Sequence, residues 1–189
     1  MTRHRLLSCA TVRFTESPIE GVFVIEPAPA ADDRGVFVKV FNSELFARYG
    51  LQSRFEEVFF SESKKGVIRG FHFQTPPMAL EKLAWVTHGE ILDVVVDLRT
   101  RSRTYGQCFS TVLSEQNRNI VYVPVGVGHA FCVLSDSATV LYETSRVFSP
   151  AHDAGIRWSS VGFAWPVDHP VISKRDAELP PLDEFVSPF

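Results

Sequence analysis

The chain has 189 residues, 45% of them hydrophobic with sixteen Phe, and a formal charge of -3. That length fits one domain with a full core, the apolar content excludes a disordered chain, and the slightly acidic balance excludes a general attraction to nucleic acid or anionic membrane. Cys9, Cys108 and Cys132 are odd in number and far apart, which gives neither a disulfide framework nor a C-x-x-C motif and implies a reducing, cytoplasmic setting.

At the start, Arg3-His4-Arg5 precedes Leu6-Leu7-Ser8-Cys9 in the manner of a secretion signal. Thr11 and Arg13 end that apolar stretch short of the roughly seven residues such a signal needs. No later window reaches the roughly eighteen uncharged apolar residues of a membrane span, since Asp93 and Asp97 interrupt the best one. We therefore expect a soluble chain. Stretches rich in Val, Ile and Phe predict strands over 21–25, 35–41, 56–61, 67–73, 82–87, 91–98, 106–113, 120–123, 130–134 and 138–144, with turns rich in Gly, Asp and Ser between them. Many short strands and few helices predict an all-β sandwich or barrel. A helix is expected over 43–49, with Ser43 as N-cap and Gly50 just past its end, and a second near 159–163. One domain is expected over 1–189, with its core at about 21–148. Beyond it, prolines at 150, 166, 170, 180 and 181 break the pattern, so 149–189 should wrap the barrel without joining it.

Val67-Ile68-Arg69-Gly70-Phe71-His72-Phe73-Gln74 carries the strongest chemical signal. A fixed cation and an imidazole interrupt an apolar strand, offering an anion anchor and a general base within four residues. A salt-bridged Arg and a core His bonded to a carbonyl would explain the same letters. Regular alternation would point Arg69 and His72 to opposite faces, so a shared site needs a bulge, for which Gly70 is the natural place. In Glu81-Lys82-Leu83-Ala84-Trp85-Val86, alternation puts Lys82 with Ala84 and Val86, and these small neighbours leave that face room for a ligand. Pro124-Val125-Gly126-Val127-Gly128-His129 is a tight turn that should leave His129 at the rim of a barrel. Tyr142 should point inward with Val140. Taken singly, Lys82 could reach solvent and Tyr142 could be a half-buried strand aromatic. The P-x-G-x-x-H spacing also occurs in metal-binding cupin barrels, but with Gln74 where a second His would stand, two His and an amide make a poor divalent site.

Together with Arg34-Gly35, Asp93-Val94-Val95-Val96-Asp97-Leu98-Arg99, Thr104-Tyr105-Gly106, Ile156-Arg157-Trp158, Trp165-Pro166 and Ser173-Lys174-Arg175-Asp176, these motifs occur in the order of the dTDP-4-dehydrorhamnose 3,5-epimerase family, which the chain resembles from about 21 to 182. The resemblance implies a cupin-like jelly-roll homodimer. It also implies no metal and no cofactor, and inversion of ring carbons in a dTDP-linked or CDP-linked 4-keto-6-deoxyhexose. It makes His72 the base and Tyr142 the acid on the other ring face, with Asp176 orienting the imidazole and Lys82 stabilising the enolate. His129 would bind or polarise the sugar, with Asp93 in support. Arg34 and Arg69 would clamp the diphosphate, Arg34 reaching the neighbouring subunit's site, and Phe148 would stack on the base. Asp153 and Arg175 fall at binding positions.

Departures from the family pattern cluster around the ligand. Lys39 stands where an acidic residue is common, Glu57, Phe59 and Phe60 replace a Q-x-N pattern, Leu80 replaces a Gln, and Val147 replaces the first of two tyrosines. Lys39 and Glu57 could pair with each other or recast recognition of the base or sugar, which keeps open an epimerase acting only at C3 or only at C5. A metal-dependent cupin enzyme and a catalytically silent sugar-binding barrel are the other function classes.

Overall fold

The computed structural model describes residues 11–189, so the basic and apolar stretch at 3–9, with Cys9, lies outside the described residues. In chain order the first strands are β1 (Arg13–Glu16), β2 (Phe23–Glu26), β3 (Ala30–Asp32) and β4 (Gly35–Phe37), followed by helix α1 (Ser43–Arg48). Then come β5 (Glu57–Lys64), β6 (Ile68–Gln74), β7 (Lys82–His88), β8 (Glu90–Asp97), β9 (Cys108–Ser114), β10 (Ile120–Val123), β11 (Val127–Val133) and β12 (Ser137–Thr144). The chain closes with β13 (Asp153–Gly155), the single-turn helix α2 (Lys174–Ala177) and a 3-10 turn at Leu182–Glu184.

Two antiparallel sheets face each other, one of six strands in the order β1-β2-β10-β7-β12-β5 and one of five in the order β13-β6-β11-β8-β9. This is the all-β, cupin-like jelly roll expected. Strand alternation sorts the apolar residues into three layers. Ala84, Val86, Val121, Val140, Val95 and Phe131 fill the space between the sheets. Leu83, Trp85, Ile120 and Tyr122 turn outward and are covered by Phe46 of α1. Phe71, Phe73, Val94 and Val96 turn outward from the other sheet, and Phe163, Trp165, Phe185 and Phe189 of the C-terminal segment cover them. Phe163, Trp165, Phe185 and Phe189 are partly buried, so each contributes less than the about 1.5–3 kcal/mol of a fully buried side chain, and together they hold the segment on the barrel.

Several elements differ from expectation for identifiable reasons. Asn42, not Ser43, caps α1: its side-chain oxygen accepts from the backbone N–H of Leu45, and either residue type suits that role. Gly50 does follow the helix, with its N–H on the carbonyl of Ala47. No helix forms at 159–163, because Val161, Phe163 and Trp165 recur every second residue on the outer sheet face, a spacing helical geometry would scatter. The segment after 149 does more than wrap, since β13 joins the five-stranded sheet beside β6. The strand expected over 35–41 stops at Phe37 and pairs with β3 as a hairpin whose residues are all exposed. Among the described residues, no helix is long and apolar enough to cross a membrane.

Candidate active site

A cavity of about 630 Å³ opens between the sheets, lined among others by Glu57, Phe59, Ser61, Arg69, His72, Lys82, His129, Tyr142, Phe148, Asp153 and Arg175. Its size and mixed lining suit a small-molecule ligand. Most of these side chains arrive there by simple alternation, as Lys82 does beside Ala84 and Val86 and Tyr142 beside Val140.

Arg69 and His72 share the cavity because β6 is bulged. His72 faces His129 and Arg69 faces Phe131, so three steps along β6 match two along β11. The extra residue falls at Gly70, whose φ is +118° and whose added Cβ would lie 2.5 Å from both the Ala130 Cβ and the His129 carbonyl. Only glycine fits that position. Gly70→Ala is therefore expected to cost about 2–4 kcal/mol of stability and to turn Arg69 out of the cavity, which a denaturant titration together with substrate KM would report.

His72 is held from the C-terminal segment. Ser173 caps α2, and the turn presents Asp176, whose Oδ1 lies 2.7 Å from His72 Nε2 and whose Oδ2 accepts from the Gly70 N–H at 3.2 Å. One carboxylate thus fixes both the bulge and the imidazole. With Nε2–H donated to Asp176, Nδ1 carries the lone pair. Burial is the main influence on His72 and lowers it below its usual 6.5, with the Asp176 bond opposing and the Lys82 and Arg175 cations adding to the fall. Burial alone would raise Asp176, but the His72 bond, the Gly70 N–H and Arg175 outweigh it and hold the carboxyl below its usual range. The ring is neutral at pH 7, as a base must be.

Across the cavity, Tyr142 is buried, its hydroxyl 3.2 Å from Ser61 Oγ and its ring stacked on Phe59. Burial pushes the phenol well above its ordinary value, so it stays a proton donor. The Lys82 ammonium lies 6.0 Å from the Tyr142 ring centroid. Burial brings it down to about 8, while Asp93 and Asp153 keep it from falling further. His129 is not at a rim: β11 begins three residues earlier than expected, at Val127, so His129 is a mid-strand residue, 3% exposed. Its Nε2 lies 2.6 Å from Asp93 Oδ2. Asp93 sits behind His129 and outside the cavity wall, and its Oδ1 is buried without a hydrogen-bond partner among the described residues.

The ligand-side residues are held in a second network. Arg69 Nε donates to Ser63 Oγ at 2.9 Å, and Arg175 reaches Asp153 at 2.7 Å. Glu57 accepts from the backbone N–H of Phe148 at 2.8 Å, so it does not pair with Lys39, which lines a separate cleft of about 160 Å³ with Phe41 and Phe46. Arg34 is also outside this cavity, at the tip of the β3–β4 hairpin with its side chain 90% exposed and forked onto Asp32. Gln74 binds the Met78 carbonyl and the Ser149 N–H, pinning the segment that carries Phe148. Ser61 belongs to none of the sequence motifs, and its signal is alternation alone, since Glu57, Phe59, Ser61 and Ser63 share one face of β5.

The sequence model of the dTDP-4-dehydrorhamnose 3,5-epimerase family matches residues 16–184. The dTDP-4-dehydrorhamnose 3,5-epimerase of Methanothermobacter thermautotrophicus is 40% identical over 181 residues, 93% of this chain and 97% of its own. A dTDP-4-dehydrorhamnose 3-epimerase of Streptomyces niveus is 39% identical over 85% of this chain and 79% of its own. Among solved structures, the dTDP-6-deoxy-D-glucose-3,5-epimerase of Legionella pneumophila in complex with dTDP-4-keto-L-rhamnose superposes with a TM-score of 0.89 at 31% identity, covering 93% of this chain and 95% of its own. With the fold, the cavity and the matched span all in agreement, the chain belongs to the dTDP-4-dehydrorhamnose 3,5-epimerase family.

Proposed function

We propose that the protein is an isomerase of deoxysugar biosynthesis that inverts C3, C5 or both in a dTDP-linked 4-keto-6-deoxyhexose. The observation that carries this reading is that His72, Lys82 and Tyr142 line one cavity. A C–H beside a ketone becomes acidic once the charge developing on the carbonyl oxygen is stabilised. His72 Nδ1 takes the proton, the Lys82 ammonium stabilises the enolate oxygen, and the Tyr142 O–H returns a proton to the opposite face of the carbon. The His72 imidazolium then releases its proton to solvent and the tyrosinate takes one up, which returns the site to its starting state. No electrons are exchanged overall, so the residues present suffice for the step. Arg69 and Arg175 supply the cationic cluster that the chain's overall charge does not, and Phe148 at the mouth presents an aromatic face to the base.

Proton NMR in deuterated water, with dTDP-4-keto-6-deoxyglucose generated in place, tests the reading. Deuterium is expected at C3, C5 or both. A catalytically silent barrel would bind this sugar, or its CDP-linked counterpart, and exchange neither position.

The working form is a homodimer with shared sites. Strand β5 pairs only with β12 among the described residues, leaving an open edge where Val58 and Phe60 are 63% and 64% exposed, and Val36 and Phe37 of the Arg34 hairpin are also exposed. An uncovered edge of this kind is a natural place for a second chain. If Arg34 serves the neighbour's cavity, mixing His72→Asn and Arg34→Ala proteins leaves one intact site in every mixed dimer. Random reassortment then restores about a quarter of wild-type activity from two impaired parents, measured after subunit exchange. We assign the protein to the cytoplasm, supported by the unpaired thiols of Cys108 and Cys132.

A further inference from the structure

Phe59 is the residue that the sheet sets directly against Tyr142. The two are Cα partners between β5 and β12, whereas on the other side Tyr142 faces Ala84 of β7. Of its two lateral neighbours, only Phe59 has a side chain long enough to cover the phenol ring. The rings are nearly parallel, 20° apart with centroids separated by 4.8 Å, in the stacked geometry that aromatic pairs favour. Tyr142 otherwise meets His129 at 6.2 Å between ring centroids and the Lys82 ammonium at 6.0 Å, and its hydroxyl is tied to Ser61. Phe59 and Tyr142 line the same cavity, so removing the Phe59 ring opens space into which Tyr142 can swing.

We propose that Phe59 is a positioning residue whose ring, stacked on Tyr142, holds the phenol hydroxyl against the sugar face opposite His72 and so decides whether proton removal ends in inversion. This rests on the acid–base reading given under Proposed function. The enolate formed by His72 has two exits. A proton from the Tyr142 O–H enters on the far face and inverts the carbon, while the proton held on His72 can return to the near face and restore the starting configuration. In deuterated water the His72 proton exchanges with solvent, so the second exit yields sugar that carries deuterium but is not inverted. Misplacing the acid therefore separates exchange from inversion.

The experiment compares wild type, Phe59→Ala, Phe59→Leu, Phe59→Tyr and Tyr142→Phe, measuring by NMR both deuterium entry and the rate of inversion of dTDP-4-keto-6-deoxyglucose. In Phe59→Ala and Phe59→Leu, inversion is expected to fall by about 10–100-fold, the scale of a misplaced reacting group, with exchange falling by less than about threefold. Phe59→Tyr keeps a ring for stacking and should keep the exchange-to-inversion ratio of wild type. If exchange and inversion decline in step in the Ala and Leu variants, Phe59 acts only through binding or packing and the proposal is overturned. A wild-type ratio in Phe59→Leu overturns it too, since bulk without stacking would suffice. Tyr142→Phe is the control on the underlying reading: undiminished inversion there removes the acid itself, whereas an in-step decline at Phe59 with a strong Tyr142 effect removes only the positioning role.

Discussion

His72→Asn is expected to lower kcat by about 10³–10⁴-fold, with KM moving by less than about threefold, and to reduce deuterium entry at every ring position to background. The size follows from general-base catalysis being worth roughly 10²–10⁴-fold, here at the high end because the other imidazole of the cavity, His129, is held in the buried wall by Asp93. Asn is the informative replacement. Its amide can still donate to the Asp176 carboxylate, which is 2% exposed and would otherwise be stranded, yet it cannot accept the carbon-bound proton. The thermal midpoint should therefore shift little while activity disappears. A variant that kept kcat and raised KM would make His72 a binding residue, and the mechanism would need another base. Asp176→Asn should be milder in kcat and more costly in stability, because Asp176 also holds the Gly70 N–H and thus the bulge that brings Arg69 and His72 together.

What could be read in advance, and what could not, divides by range along the chain. Lys82 with Ala84 and Val86 on the inner face, against Leu83 and Trp85 on the outer, is a period-two pattern local to one strand, and the structure reproduces it. Tyr142 with Val140 is the same case. The three-residue spacing of Arg69 and His72 was legible as a conflict, and its resolution at Gly70 could be named because glycine alone tolerates the backbone required. By contrast, the stacking of Phe59 on Tyr142 depends on which strands pair and in what register, which no local window encodes. The placement of Asp176 beside His72 joins positions 104 apart; only the family resemblance pointed to it. The start of β11 is hidden in the sequence because Val127 and Gly128 follow Pro124 and Gly126 in a stretch with the composition of a turn. In the fold they are already paired with Asp97 and Val96, so His129 moves from the rim into the buried wall, and its need for a partner is met by Asp93. The separation of Lys39 from Glu57 is likewise a matter of tertiary placement that charge exchange in the sequence could not reveal.

Lys82 should give the second large effect and the clearest pH signature. Lys82→Met removes the cation facing the enolate oxygen and is expected to cost about 10²–10³-fold in kcat, or about 2.7–4 kcal/mol of transition-state stabilisation, the usual loss for one oxyanion donor. In the wild type, catalysis needs His72 neutral and Lys82 charged. His72 titrates below 6.5, so activity is lost as pH falls through that lowered value and the base takes up a proton from water. Lys82 titrates at about 8, so activity is lost again as pH rises through that point and the cation disappears. The expected kcat/KM profile is a bell with its base limb near pH 8, read from the free enzyme. Lys82→Arg retains the charge with a group that does not titrate in this range, so its residual activity should lack the base limb while keeping the acid limb. A base limb unchanged in Lys82→Arg would assign it to some other group and take the ammonium out of the enolate-stabilising role. Asp93→Asn offers an independent check on the same electrostatics. Asp93 keeps the Lys82 ammonium from losing its proton more readily, so neutralising it should move the base limb to lower pH, an outcome that loss of His129 positioning alone would not produce.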